Sequence, residues 1–175
     1  QVADKGLVKD EDGNVVAEVM DVQHAPNGQN MHTLKLRQKL AKGMTYRLEV
    51  NREFHNKVKK NHTATHLLDQ ALRDVLGEHT HQAGSLVEPT YLRFDFTNLG
   101  SVTPEQLKQV EDIVNDKIWQ NLPVQTVVTD LENAKKMGAI ALFSEKYGET
   151  VRVVKAGDYS MEFCGGNHVD NTNEL

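Results

Sequence analysis

The segment NREFHNKVKKNHTATHLLDQALRDVLG, residues 51–77, sets the architecture of this chain because it contains its longest predicted helix. Asn51 is a favourable N-cap and Gly77 a typical C-terminal stop, so the helix should run from Arg52 to Leu76. Apolar residues recur along it at helical spacing: Phe54, Val58, Leu68, Ala71, Leu72 and Val75. This stripe predicts that one face of the helix packs on a core.

The residues before this helix have the pattern of β structure. Short alternating or valine-rich segments are separated by turn residues at 12–14, 25–28 and 42–43. The predicted strands are Val15–Gln23, Met31–Arg37 and Met44–Val50. Residues 1–51 are therefore expected to form a small, truncated β-barrel or curled sheet.

The residues after the helix predict a second region, 52–175, in which helices and strands alternate. A capping box, Thr103-Pro104-Glu105-Gln106, opens a helix that should reach Asn121, and a short helix should cover Leu131–Met137. The predicted strands here are Gly84–Val87, Tyr91–Phe96, Val124–Thr129, Val151–Lys155 and Ser160–Cys164. The expected fold class is α+β, an α/β sandwich with an antiparallel sheet behind an N-terminal barrel.

Composition narrows the class of protein. The chain has 175 residues, 38% hydrophobic and 26% charged, with a net charge of −5, as is usual for globular domains. No apolar run approaches the roughly 20 residues of a membrane span. The lone Cys164 excludes an intrachain disulfide and fits a reducing compartment. Because the chain opens on Gln1 without a signal-type segment, we expect a piece of a longer cytoplasmic protein.

Charge is distributed unevenly along the chain. Between Met31 and Lys60 there are nine Lys or Arg residues and two acids, a local net charge of +7 in an acidic chain. A local positive field can attract a polyanion even when the total charge is negative. A solvated face of a strand and helix explains this feature equally well, so it does not decide for nucleic acid by itself.

Four side chains form two pairs with metal-ligand spacing. His62 and His66 lie four residues apart within the predicted helix, so their imidazoles project from one face. Cys164 and His168 have the same spacing, and the intervening glycines allow a tight turn. Three imidazoles and one thiolate suit tetrahedral Zn²⁺. The alternatives are ordinary surface or core histidines and an inert buried cysteine.

The same pattern argues against other chemistry. A zinc protease helix has Glu directly after its first His, and Thr63 stands there instead. Redox cysteine pairs need a second cysteine, which the chain lacks. A hydrolase with Cys164 as nucleophile and His168 as base would leave the two helical histidines without a role.

These residues belong to a larger set of motifs by which the chain resembles the editing domain of alanyl-tRNA synthetase with its preceding β-barrel. The opening Gln1–Gly6 resembles the end of the family's glycine-glycine-glutamine segment. The other matching motifs, in order, are NHTATHLL (61–68), QAGSLV (82–87), LRFDF (92–96), GAIALFSEKYG (138–148) and CGGNHV (164–169). Their order and spacing over the whole chain make the resemblance specific.

The resemblance implies an enzyme, an aminoacyl-tRNA deacylase fold shared with the second additional domain of threonyl- and alanyl-tRNA synthetases. Its expected reaction is hydrolysis of the ester in Ser-tRNA(Ala) and Gly-tRNA(Ala). Such a reaction is needed because the aminoacylation site of a synthetase cannot strongly reject serine, with one added hydroxyl, or glycine, with one missing methyl group. The expected partners are the acceptor end of tRNA(Ala) and the rest of a parent synthetase in cis, with neither DNA nor a membrane.

The resemblance also assigns residues. It implies Zn²⁺ held by His62, His66, Cys164 and His168, with Gln82, His62 and Cys164 acting at the reaction centre. The alternative for Gln82 is an ordinary polar residue of a β-turn. The ion either activates water or only holds the site, and four protein ligands would close a tetrahedral site. Arg93, which alternates on its strand with Asp95, is a further RNA contact or half of an ion pair. The basic stretch would track acceptor-stem phosphates through Lys57, Lys59 and Lys60.

Two departures and several rivals remain. Asn167 stands where the family usually has Thr, and Ser144 where it usually has Gly. Rival interpretations are a free-standing alanyl-tRNA editing protein, the related threonyl-tRNA synthetase module, a non-catalytic zinc-stabilised RNA-binding module, and a structural zinc domain that does not bind RNA. Residues 1–51 and the motif at 92–96 favour the alanyl over the threonyl enzyme.

Overall fold

The computed structural model describes residues 1–141 and 148–175. Its strands are β1 (Gly6–Lys9), β2 (Val15–His24), β3 (Asn30–Leu36), β4 (Arg47–Val50), β5 (Gln82–Val87), β6 (Leu92–Phe96), β7 (Val124–Asp130), β8 (Thr150–Ala156) and β9 (Ser160–Phe163). Its helices are α1 (Arg52–Leu76), α2 (Pro104–Trp119) and α3 (Leu131–Lys136), with a short 3-10 helix at Thr172–Glu174. Within the described residues, none of these helices is long and apolar enough to cross a bilayer.

Helix α1 has the predicted bounds, and its caps explain them. The Asn51 side chain accepts a hydrogen bond of 3.0 Å from the Phe54 N–H, which satisfies an otherwise unpaired donor of the first turn. Gly77 ends the helix at a φ of 112°. Ala71 and Leu72 are buried against Val110 of α2. The helix of about 37 Å is thereby held along its C-terminal half.

Helix α2 begins as predicted but ends earlier. The Thr103 hydroxyl accepts from the Gln106 N–H at 3.2 Å, and the Gln106 side chain accepts from the Thr103 N–H at 2.9 Å. The helix ends at Trp119 rather than at Asn121, because Asn121 adopts a left-handed φ of 53°. The chain then turns into β7.

The N-terminal residues form an open sheet; of the two predicted forms, a small truncated barrel or a curled sheet, the barrel is not found among the described residues. Its four antiparallel strands have the order β3-β2-β1-β4, which leaves β3 and β4 as unpaired edges among the described residues. Four strands are too few to enclose a barrel filled by side chains, for which about eight are usual. Strand β1, which the sequence pattern did not predict, lies at the centre and contributes Val8 to the core with Val16, Ala17 and Val19.

The rest of the chain confirms a mixed α and β class with antiparallel sheets. Strands β5 and β6 form one sheet, and β7-β8-β9 form another around Val151, Val153 and Phe163.

The division into domains at residue 51 remains a prediction. The first residues run along the second region: the Val2 N–H donates to the Val87 carbonyl at 3.0 Å, and Asp4 contacts His55 at 2.9 Å. These contacts place the N-terminal sheet across from α1.

Candidate metal centre

Helix α1 presents two imidazoles from one face. His62 and His66 are one turn apart, and their ring centroids are 5.3 Å apart in an edge-to-face arrangement. The helix can place them so because residues at i and i+4 lie above one another. His66 is only 5% exposed, whereas His62 is partly exposed. The predicted helical pair is therefore present and points inward.

The turn after β9 brings the other pair to the same place. The Cys164 sulfur lies 3.4 Å from Nε2 of His62 and 3.3 Å from Nε2 of His168. One donor atom from each of His62, His66, Cys164 and His168 lies within 4.8 Å of the other three. Tetrahedral zinc with Zn–N and Zn–S bonds of about 2.1 and 2.3 Å separates such donors by about 3.6 Å. The donor set therefore fits a metal ion of this kind.

Outer hydrogen bonds hold two of the three rings. Nδ1 of His168 lies 3.0 Å from the Thr63 hydroxyl, and Nδ1 of His62 lies 2.7 Å from Oε1 of Gln1. The third ring, His66, has a carboxyl oxygen of Glu162 at 3.6 Å from its Nε2, which is beyond hydrogen-bond distance. Hydrogen bonds like the first two fix the tautomer and orientation of ligand histidines. The sequence did not single out Gln1, Thr63 or Glu162, because only the fold brings them to the rings.

Burial sets the protonation of the four groups. It lowers the pKa of His62 to about 4 and that of His66 to about 3, and it is also the main cause that lowers the pKa of His168. Burial raises the pKa of the Cys164 thiol. The imidazoles are thus neutral near pH 7 and have free lone pairs, as metal binding requires, while the thiol must lose its proton to bind.

The glycine turn has no room for a side chain at one of its two glycines. A Cβ on Gly166 would overlap Cε1 of His62 and lie 2.5 Å from its Nδ1, whereas a Cβ on Gly165 would meet nothing within 4 Å. Arg152 of β8 supports the turn, since its Nη1 donates to the carbonyls of Cys164 and Gly166 at 2.9 and 2.5 Å. Sequence reasoning missed Arg152, which no motif marks.

The cluster lies in the wall of a cavity of about 830 Å³ between the N-terminal sheet and α1. His62, His66 and Cys164 line it, and so does Gln82, whose side-chain amide donates to the Ser85 hydroxyl at 2.9 Å. Thr65 also lines it, and its hydroxyl donates to the Asn61 carbonyl at 2.8 Å. A ligand in this cavity would contact both the metal-binding groups and several polar side chains.

Two buried carboxyl groups, Asp69 and Glu162, adjoin the cluster and line the same cavity. Burial raises the pKa of both, and each carboxyl also hydrogen-bonds the other. Within the described residues, Oδ1 of Asp69 has no hydrogen-bond partner. Sequence reasoning did not identify this pair, because its members are 93 positions apart and belong to no spacing motif.

The candidate RNA contacts lie away from the cavity wall. Arg93 is exposed and pairs with Asp95 at 3.0 Å, the ion pair that the alternation on β6 suggested. Lys57 is exposed and pairs with Glu53 at 2.7 Å, one turn earlier on α1. Lys59 is half-buried and Lys60 exposed, and neither forms an ion pair within the described residues. These four residues occupy surface positions, as a role in binding a polyanion would need.

The two departures from the family pattern have different outcomes. Asn167 is exposed at the cavity, and its N–H donates to Oε1 of Gln1 at 2.9 Å, so the backbone rather than its side chain makes the contact. Ser144 lies outside the described residues.

Comparison with known proteins agrees with this organisation. Residues 151–175 match the family described as "Threonyl and Alanyl tRNA synthetase second additional domain". The whole chain is 76% identical to alanine–tRNA ligase of Ligilactobacillus salivarius and 70% identical to that of Latilactobacillus sakei subsp. sakei. Each alignment covers 100% of this chain and 20% of the relative, so the chain spans about a fifth of the length of these curated relatives. Over its whole length, the chain is therefore similar to one segment of the alanyl-tRNA synthetases.

Proposed function

We propose that this chain is an editing deacylase that hydrolyses the ester of Ser-tRNA(Ala) and Gly-tRNA(Ala). The observation that carries the proposal is the convergence of three imidazoles and one thiol from two chain segments more than 90 residues apart. Three of these four side chains, His62, His66 and Cys164, line a cavity of about 830 Å³. Water attacks the ester carbonyl, the bond to the ribose oxygen breaks, and the products are the free amino acid and tRNA with a free terminal hydroxyl.

Two cavity side chains act on the substrate in this proposal. Gln82 uses its amide to donate to Ser85, which leaves its carbonyl oxygen to orient the attacking water or the amino acid. Thr65 donates to the Asn61 carbonyl, so its oxygen lone pairs can accept a hydrogen bond from a serine hydroxyl. Alanine has no hydroxyl to offer, and its ester would be held less well.

The proposed ligands of Zn²⁺ are His62, His66, Cys164 and His168. When bound, zinc supplies Lewis-acid charge that stabilises negative charge near the cluster. Two features of the chain favour metal binding. Burial keeps the imidazoles neutral. The Gly166 N–H lies 3.4 Å from the Cys164 sulfur and stabilises its thiolate form. Of these four side chains, His62 and Cys164 are also proposed to act at the reaction centre, and both line the cavity.

The proposed partner is the acceptor end of tRNA. Lys57, Lys59 and Lys60 precede the metal-binding turn of α1 and provide positive charge for acceptor-stem phosphates, with Arg93 as a further contact. The relatives are ligases about five times as long, so we propose that the chain works in cis with the rest of a cytoplasmic, ATP-using synthetase. A free-standing editing protein is the alternative with the same site.

The decisive experiment measures deacylation by the purified chain. Zinc-loaded chain should hydrolyse Ser-tRNA(Ala) well above the spontaneous rate and spare Ala-tRNA(Ala), and removal of the metal by a chelator should abolish the activity. Cys164→Ala should lose bound zinc, measured by elemental analysis, together with deacylation.

A matched control is Met31→Ala, at an exposed position on the N-terminal sheet. It should keep full activity. A chain that binds tRNA but hydrolyses no ester would instead be a zinc-stabilised RNA-binding module, and a chain that does neither would be a structural zinc domain.

A further inference from the structure

The ends of β2 and β3 line the same cavity as the metal cluster. In this hairpin Val22 is directly opposite His32, and His24 is directly opposite Asn30. Opposite residues, and residues two apart on one strand, point to the same face of a sheet. Val22, His24, Asn30 and His32 therefore form one patch, and all four line the cavity. We refer to these residues as the hairpin patch.

The polar groups of the hairpin patch are not used by the fold. Within residues 1–141 and 148–175, the side chains of His24, Asn30 and His32 make no hydrogen bond or ion pair, and all three are exposed. Two imidazoles and a carboxamide around a valine thus face a cavity without a structural partner. Such a combination suits a flat ligand with an apolar face and a polar edge.

A nucleobase has this shape and chemistry. Imidazole rings stack on bases, and an asparagine amide pairs with the N6 and N7 groups of adenine. The two histidines are diagonal neighbours on the hairpin, so their positions are roughly 7–8 Å apart and their Cβ atoms somewhat closer. A base stacked between two rings needs about twice the 3.4 Å separation of stacked bases. The spacing of the two positions is therefore compatible with one base between the rings.

We propose that the hairpin patch binds the base of the terminal adenosine of the acceptor strand. This inference rests on the proposed deacylase function and adds the subsite that holds the nucleoside while its ester reaches the metal cluster. The cavity of about 830 Å³ is near the upper end of the range for ligand pockets, so it can take a nucleoside and its amino acid together.

The test uses adenosine 5′-monophosphate and the chain labelled with nitrogen-15. On titration, the ring signals of His24 and His32 shift, more strongly than with cytidine 5′-monophosphate, while those of His79, which contacts Asn98 elsewhere, stay unchanged. The double variant His24→Ala/His32→Ala weakens binding of the nucleotide about 10- to 100-fold. Asn30→Ala removes the preference for adenine over cytosine.

Met31→Ala is the matched control, because Met31 lies between Asn30 and His32 on the opposite face of β3. It leaves binding unchanged. Unshifted His24 and His32 signals, or nucleotide affinity that the double variant retains, overturn the subsite.

The measurement is independent of catalysis. If nucleotide binds at the patch and Ser-tRNA(Ala) is not hydrolysed, the deacylase proposal fails while the subsite stands. If Ser-tRNA(Ala) is hydrolysed equally well by wild type and the double variant, the subsite fails alone.

Discussion

Gly165 and Gly166, the adjacent glycines of the turn after β9, provide a direct test of the metal-binding geometry. In Gly166→Ala the new methyl group would overlap the His62 ring and lie 2.6 Å from Oε1 of Gln1. Its distance from Nδ1 of His62 must grow from 2.5 Å to an ordinary contact near 3.5 Å, so the ring or the turn must move by about 1 Å. Binding sites tolerate displacements of only about 0.5 Å.

We therefore expect Gly166→Ala to weaken zinc binding about 10- to 100-fold, the usual cost of disturbing a group that orients a metal ligand. Gly165→Ala is the control, since its methyl group would enter open space and the residue does not have a positive φ. It should bind zinc with wild-type affinity.

The assay is competition for zinc with a chromophoric chelator at fixed pH, with circular dichroism to verify that both variants are folded. Equal zinc affinity for Gly166→Ala and wild type would refute the assigned geometry. An equal loss of zinc affinity in both variants would show that any methyl group added to the turn disturbs the site, so that the clash with the His62 ring is not the cause.

Three further predictions follow from the site and its surroundings. Because the buried imidazoles are already neutral and only the Cys164 thiol must lose a proton, zinc affinity should fall about tenfold per pH unit from pH 8 to 6. A slope that steepens below pH 6.5 would mean that the imidazoles titrate normally. Thr65→Val should lower hydrolysis of Ser-tRNA(Ala) about 2- to 10-fold with little effect on Gly-tRNA(Ala); equal losses on both esters would remove its role in selecting serine. Replacing Lys57, Lys59 and Lys60 by Gln should make the plot of log binding constant against log salt concentration less steep, by the equivalent of up to about three phosphate contacts. An unchanged slope would mean that the RNA binds elsewhere.

Local patterns predicted the elements that carry the site. The bounds of α1 followed from Asn51 and Gly77, and the shared face of His62 and His66 followed from the period of the helix. Both depend on interactions within a few residues, which the order of amino acids specifies directly. The choice between a small barrel and a curled sheet could not be made in this way, since strand alternation shows that strands exist but not whether their edges meet.

The meeting of His62 with Cys164, the support from Gln1 and Arg152, and the wall formed by the hairpin patch depended on tertiary structure. No pattern along the chain marks these contacts, since the partners belong to different elements. The sequence by itself therefore determined two pairs of possible ligands, through the spacing of the histidines and the cysteine. Their union into one cluster at a cavity required the packing of α1, β9 and the N-terminal sheet. The reason is that distances between remote residues are set by how elements bury their apolar faces together.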